Sequence, residues 1–384
     1  MSARSAGSGL RRAVVYCAVV FLISRIAISL LGLTVGSLTQ GALPHEPPNV
    51  SPATSGIHNM WDGLDRLDAR WFTFLAAEGY DAAPHSAAFF PLYPIAIRVV
   101  AWLPGVDTVS AATIISNLAY LGALIVLYRL TERERSDELA RRTVVVLACF
   151  PTAFFFLAPY SESLFLLLTL LAFVAVRRDR WPAGAVAGAA AALTRLIGLV
   201  LIPAFLVEAW TRGDPATRTR RFAWACLIAV GPALYIGWWW LHAGDPMAPF
   251  SAQSAWNRTL AFPLSTLGRG LAQAVGGLNQ SDGGYWISDF ALTAVAIGGL
   301  VAVRRTAAPS YLVYAGLSLL IPLAYPYLGR DLVSMSRFVL LIFPAFWGIA
   351  EWCHRRWVYV TWVGVSTGLL AWHAVLFMSW RPVF

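Results

Sequence analysis

Five arginine-rich segments, at 133–142, 177–180, 212–221, Arg304-Arg305 and Arg355-Arg356, are separated by long apolar runs. That alternation constrains the chain more than any other feature. In a bilayer every backbone N–H and C=O must pair internally, so an apolar run of about 20 residues crosses as a helix. Arginine clusters in short loops collect on the cytoplasmic side, so all five belong to one face. With 58% hydrophobic and only 13% charged residues, too little polar surface exists to coat one soluble globule of 384 residues. The expectation is an all-α polytopic membrane protein.

The net charge of +9 comes from 29 basic residues, all arginine. Loop position accounts for them, so no nucleic-acid partner is inferred from the charge. Cys17, Cys149, Cys226 and Cys353 lie far apart in apolar segments, which supports neither a disulfide framework nor a metal cluster. The first apolar run, 13–38, follows Arg11-Arg12 and is expected to be a retained helix with a cytoplasmic N-terminus. Residues 39–108 form a first extracytoplasmic loop, in which 87–104 is a juxtamembrane or re-entrant helix, and 109–131 is the second span. Short hairpins follow over 142–177, broken at PYSES (159–163), and over 181–209, broken at Thr194-Arg195. Further helices are expected at 222–242, 287–303, 309–327, 338–353 and 357–378. This makes about eleven crossings in one integral membrane domain covering 1–384, with a second large outer loop at 243–286.

Polar chemistry therefore gathers on the outer side. A helical projection of 61–74 puts Trp61, Leu64, Leu67, Trp71, Phe72 and Phe74 on one apolar face, with Asp62, Arg66, Arg70 and Thr73 opposite. Asp68 falls inside the apolar arc, where a carboxylate loses hydration unless its charge is used. Partial burial can tune such an acid for work as a general base. The structural alternative is a loop acid paired with Arg66, Arg70 or another arginine. Glu162, between two apolar helices, carries an insertion cost of about 2.5 to 3.5 kcal/mol at the bilayer centre and calls for a partner, for which Arg195 is placed. Arg195, Arg258 and Arg337 sit on the outer side against the inside bias, and guanidinium forks suit a phosphate. Headgroup snorkelling is the plainer alternative for each. Arg25 is expected to face the bundle.

LDARWFTFLAAEGYD with a following AFFPLYP, then FPTAFFFLAPYSESLFLLLTLLAF, AGAVAGAAAALTRLIG, GDPMAPFSAQSAWNR and SMSRFVLLIFPAFW occur in this order within 61–347. In order and spacing they resemble the GPI mannosyltransferase II (PIG-V) family of glycosyltransferases with the GT-C fold. That family usually has Trp before the first-loop aspartate, where this chain has Leu67.

The resemblance implies transfer of mannose from a polyprenyl-phosphate-mannose donor to an acceptor hydroxyl on the extracytoplasmic face, with Asp68 matching the catalytic aspartate. Arg195, Arg337 and Arg258 would bind the donor phosphate. Tyr160, Glu162, Tyr80, Tyr93 and Trp256 would line the sugar or acceptor cleft. A single carboxylate suffices for one inverting displacement. The acceptor would be a glycolipid, polysaccharide or protein, and the all-arginine basic set points to a bacterial plasma membrane. No cofactor is fixed by the sequence, and dependence on a divalent cation stays open. The acids near Asp68 are numerous enough for a divalent cation, but no ligand spacing demands one. A transporter or flippase of a lipid-linked substrate is the rival reading, which expects ionisable groups near the bilayer midplane and an internal repeat.

Overall fold

The computed structural model describes residues 3–38, 62–212, 214–253, 257–279, 283–379 and 381. In chain order the α-helices are α1 (Ala3–Leu38), α2 (Asp68–Glu78), α3 (Leu92–Val100), α4 (Thr108–Glu134), α5 (Asp137–Ala148), α6 (Glu162–Arg177), α7 (Trp181–Thr194), α8 (Leu201–Arg212) and α9 (Pro215–Cys226). They continue as α10 (Val230–Ala243), α11 (Ala248–Ser251), α12 (Pro263–Gly276), α13 (Gly283–Val303), α14 (Pro309–Ala324), α15 (Met335–Phe338), α16 (Phe343–Trp352) and α17 (Arg356–Met378). Among the described residues the only β pairing is isolated bridges, Arg258 to Tyr327 and Tyr327 to Arg330.

Five helices are long and apolar enough to cross a membrane: Gly9–Val35, Thr108–Glu134, Pro215–Ala243, Tyr285–Val303 and Arg356–Met378. A sixth is obtained if Met335–Leu341 and Phe343–Trp352, which meet at 90°, count as one broken span. The other expected segments are helical but short. The two hairpins are α5 with α6 and α7 with α8, of 12, 16, 14 and 12 residues, each below the length of a full crossing. The chain is a membrane protein.

The interior is built around aromatic side chains at the middle of the bundle. Tyr120 stacks on Phe156 at 4.4 Å, and Phe173, Tyr311, Tyr314, Phe343 and Trp347 form a second ring cluster joining α6, α14 and α16. Where α13 crosses α16, the backbones almost touch: a Cβ at Gly348 would lie 1.9 Å from the Gly299 carbonyl oxygen. In apolar surroundings such small-residue contacts, rather than hydrophobic exclusion, lock helices together. This contact sets α13 against the bent α15–α16 arm, which matters for the site below. Arg25 is buried as expected, its guanidinium 4.9 Å from the Tyr120 ring and its Nη1 bonded to Asn117.

Candidate active site

Asp68 opens α2, and the residue before it is strained. Leu67 has φ 54° and ψ −120°, a conformation that non-glycine residues avoid. This kink separates the short 3-10 turn Asp62–Leu64 from α2. The single amphipathic helix expected over 61–74 is therefore corrected: no common face runs through Leu67. Leu67 is 43% exposed, while Arg66 and Arg70, expected on the polar face, are buried. Each guanidinium is buried with a backbone carbonyl as acceptor, one on α17 and one just before the kink. Arg66 Nη1 donates to Phe377 O at 2.5 Å with its charge over the Phe377 ring, and Arg70 Nε donates to Asp65 O at 3.1 Å.

The partner of Asp68 comes from far along the chain. Arg337, on α15, donates Nη1 to Asp68 Oδ2 at 2.7 Å. Its Nε lies 3.3 Å from Glu162 Oε1, within ion-pair range but off line for a hydrogen bond. The Asp68 side chain keeps 24% of its surface exposed, whereas Glu162 has none. Glu162 begins α6, where the helix dipole favours a carboxylate. Its Oε1 accepts from Arg195 Nη1 at 2.8 Å, so the ion pair expected between the two hairpins is formed. Arg195 reaches it from the end of α7 and also donates to Ser161 Oγ at 3.0 Å. Glu162 Oε2 is buried and accepts no hydrogen bond from protein.

Arg258 completes the cluster. The bridge to Tyr327 and a bond from its Nη1 to Tyr325 O, 2.9 Å, hold it in place. Burial, followed by the like charge of Arg337, lowers its pKa below the ordinary arginine value; Asp68 opposes this and Arg195 adds to it. One ring organises all three cations. The guanidinium carbons of Arg195, Arg258 and Arg337 stand 5.8, 5.8 and 5.4 Å from the Phe338 centroid. Its negative face attracts each of them. Three guanidinium groups thus face two carboxylates, leaving one unit of positive charge. Such a cluster can bind a phosphate bidentately and stabilise charge that develops on it.

The remaining candidates divide. Tyr160 belongs to the cluster: its ring lies 5.3 Å from the Arg337 guanidinium, and its buried hydroxyl donates to Arg66 O at 2.7 Å. Tyr93 is fully buried, with its hydroxyl 2.7 Å from Ser116 Oγ and 3.1 Å from Ala112 O, so it braces α3 on α4. Tyr80 sits in a separate aromatic group with Tyr235, Trp238 and Trp239, and donates to Phe89 O at 2.8 Å. Burial raises the Tyr80 phenol well above its ordinary pKa. Trp256 lies outside the described residues. Among the described residues no three His, Cys, Asp or Glu side chains gather closely enough to share a metal ion, and what meets Asp68 is a guanidinium.

Two supports escaped the sequence reading. Asp289, buried in α13, accepts from Ser336 Oγ at 2.6 Å and from Arg330 Nη2 at 2.9 Å. From the opposite side, Thr152 Oγ1 donates to Ser336 O at 2.8 Å. Ser336 is thereby clamped next to Arg337. The signal was present, since Asp289 is a carboxylate in an apolar run, the same argument that singled out Glu162. Phe338 offered no such signal, being one aromatic among many.

Comparison with known proteins identifies the family and the fold. The sequence model of the family described as Mannosyltransferase (PIG-V) matches residues 12–208. The chain is 32% identical over 195 residues to GPI alpha-1,6-mannosyltransferase 2 of Mus musculus, covering 47% of this chain and 39% of that protein. It is 34% identical over 113 residues to GPI mannosyltransferase 2 of Drosophila pseudoobscura pseudoobscura, covering 27% and 25%. The chain thus spans well under half the length of these relatives. In overall fold it is similar to the crystal structure of ArnT from Cupriavidus metallidurans bound to undecaprenyl phosphate, with a TM-score of 0.52 at 14% identity, covering 93% of this chain and 75% of that one. The helical architecture is the GT-C glycosyltransferase fold, and with half its length matched by the family's sequence model, the chain belongs to the PIG-V mannosyltransferase family.

Proposed function

We propose that the protein transfers mannose from a polyprenyl-phosphate-mannose lipid to an acceptor hydroxyl at the extracytoplasmic face of a bacterial plasma membrane. The observation that carries this reading is the Asp68 carboxylate held at 2.7 Å against Arg337 inside a cluster of three arginines, in a chain of this family. Asp68 removes the acceptor hydroxyl proton as that oxygen attacks the anomeric carbon. The bond from that carbon to the phosphate oxygen breaks, and its electron pair leaves with the polyprenyl phosphate. Arg195, Arg258 and Arg337 take up the developing negative charge, which is why the leaving group needs no acid. One displacement inverts the anomeric centre, because Asp68 abstracts a proton and does not attack the sugar. The second carboxylate, Glu162, is already paired with Arg195. Its free Oε2 is suited to accept a hydroxyl of the sugar or acceptor, with Tyr160 behind it.

A transporter reading fits the site less well. Glu162 is the first residue of α6 and Arg195 follows the last of α7, so these charges stand at helix ends and not at mid-span. The test is incubation of membranes with labelled polyprenyl-phosphate mannose, followed by identification of the labelled acceptor. Asp68→Asn should lower transfer by about 10²- to 10⁴-fold, the usual contribution of a positioned base, with protein levels close to normal. Retained transfer would remove Asp68 from the mechanism.

A further inference from the structure

Arg337 is committed to two anions at once. Its Nη1 bonds Asp68, and its Nε faces Glu162 without forming a hydrogen bond. Of the two carboxylates, Glu162 has a second cation in Arg195 and is fully buried at the start of α6. Asp68 is the more exposed of the two, and it enters from a different part of the chain at the kinked start of α2. The Asp68 contact is thus the one that can be exchanged.

We infer that Asp68 and the lipid phosphate compete for Arg337, so that proton uptake by Asp68 holds the phosphate product in the site and loss of that proton releases it. This rests on the reading given above, and the charges follow each step. The free cluster carries one surplus positive charge, three guanidinium groups against Asp68 and Glu162. A phosphodiester donor brings one negative charge and neutralises it. Transfer turns the phosphodiester into a phosphomonoester of up to two negative charges at pH 7. In the same step Asp68 takes the acceptor proton and loses its own charge, so the site stays neutral while the product is bound. When the protonated Asp68 passes its proton to water, its carboxylate reclaims Arg337, the site acquires an excess negative charge and the phosphate leaves. The group that activates the acceptor is on this account also the group that expels the product.

Asp68→Asn mimics the protonated acid, keeping its volume and an oxygen that accepts from Arg337. The experiment measures binding of undecaprenyl phosphate to the full chain in nanodiscs of zwitterionic lipid. The expected result is about tenfold tighter binding to Asp68→Asn than to the wild type, within the ordinary range of coupling between two sites. The same substitution in an Arg337→Gln background should leave affinity unchanged, because the contested group is gone. Equal or weaker binding by Asp68→Asn would overturn the inference while leaving the transferase reading in place. A gain that persists without Arg337 would also overturn it, reducing the effect to general electrostatics. If neither wild type nor variant binds the lipid phosphate, the donor assignment itself fails, and the inference with it.

Discussion

Ser336 Oγ donates to the buried Asp289 carboxylate at 2.6 Å, one residue before the arginine that holds Asp68. The Arg337 side of the site is therefore anchored in α13, a helix with no residue in the arginine cluster itself. Asp289 also carries Arg330, whose loop bridges through Tyr327 to Arg258. Replacing Asp289 with Ala leaves Arg330 without its buried partner, a change worth about 3 to 5 kcal/mol in such pairs. The expected outcome is a clear fall in thermal midpoint by fluorescence-detected size exclusion. Asp289→Asn, which keeps an acceptor for Ser336, should retain more of both stability and donor affinity. Identical behaviour of the two variants would show that Asp289 acts through its charge alone.

Arg195 separates a phosphate role from a structural one. Arg195→Ala should raise the donor KM roughly tenfold, consistent with loss of one charge-assisted hydrogen bond, and Arg195→Lys should recover part of it. A lower yield of folded protein with an unchanged donor response would mean that the residue serves only to neutralise Glu162.

Phe338 is tested by removing the ring while keeping apolar bulk. Phe338→Leu takes away the face that three guanidinium groups share, at about 0.5 to 2 kcal/mol for each such contact. Donor KM should rise by about an order of magnitude, and Phe338→Tyr should stay near the wild type. Equal kinetics for Leu and Phe would show that packing alone sets the arginine positions.

Orientation is tested at two exposed positions. After the native cysteines are replaced, a cysteine at Asp245 and one at Arg178 should react with an impermeant maleimide from opposite sides of the membrane. Labelling from the same side would break the assignment of the turn between α6 and α7, which joins the two hairpins, to the cytoplasmic face.

How much of this was readable in advance depended on the distance over which the cause acts. Hydropathy is local, so the long spans 109–131 and 357–378 match α4 and α17 to within a few residues. Glu162 was visible because a carboxylate in an apolar run needs a cation, and the neighbouring hairpin offered Arg195. The link from Arg337 to Asp68 joins positions separated by 269 residues, and helix periodicity carries no information about such contacts. Periodicity misled at Leu67, because it assumes an unbroken helix; the positive φ there reverses the side assigned to Arg66 and Arg70. Asp289 was accessible to the same reasoning as Glu162, but its partners, Ser336 and Arg330, lie beyond the next helix.

The shared Phe338 platform has an evolutionary consequence. Because a single ring stands against Arg195, Arg258 and Arg337, altering any one cation shifts the field felt by the other two. Effects of substitution at these four positions should be epistatic, with double changes departing from the sum of single ones. Natural variants that exchange one of them should carry compensating exchanges at the others, so the four sites change in sequence as a block.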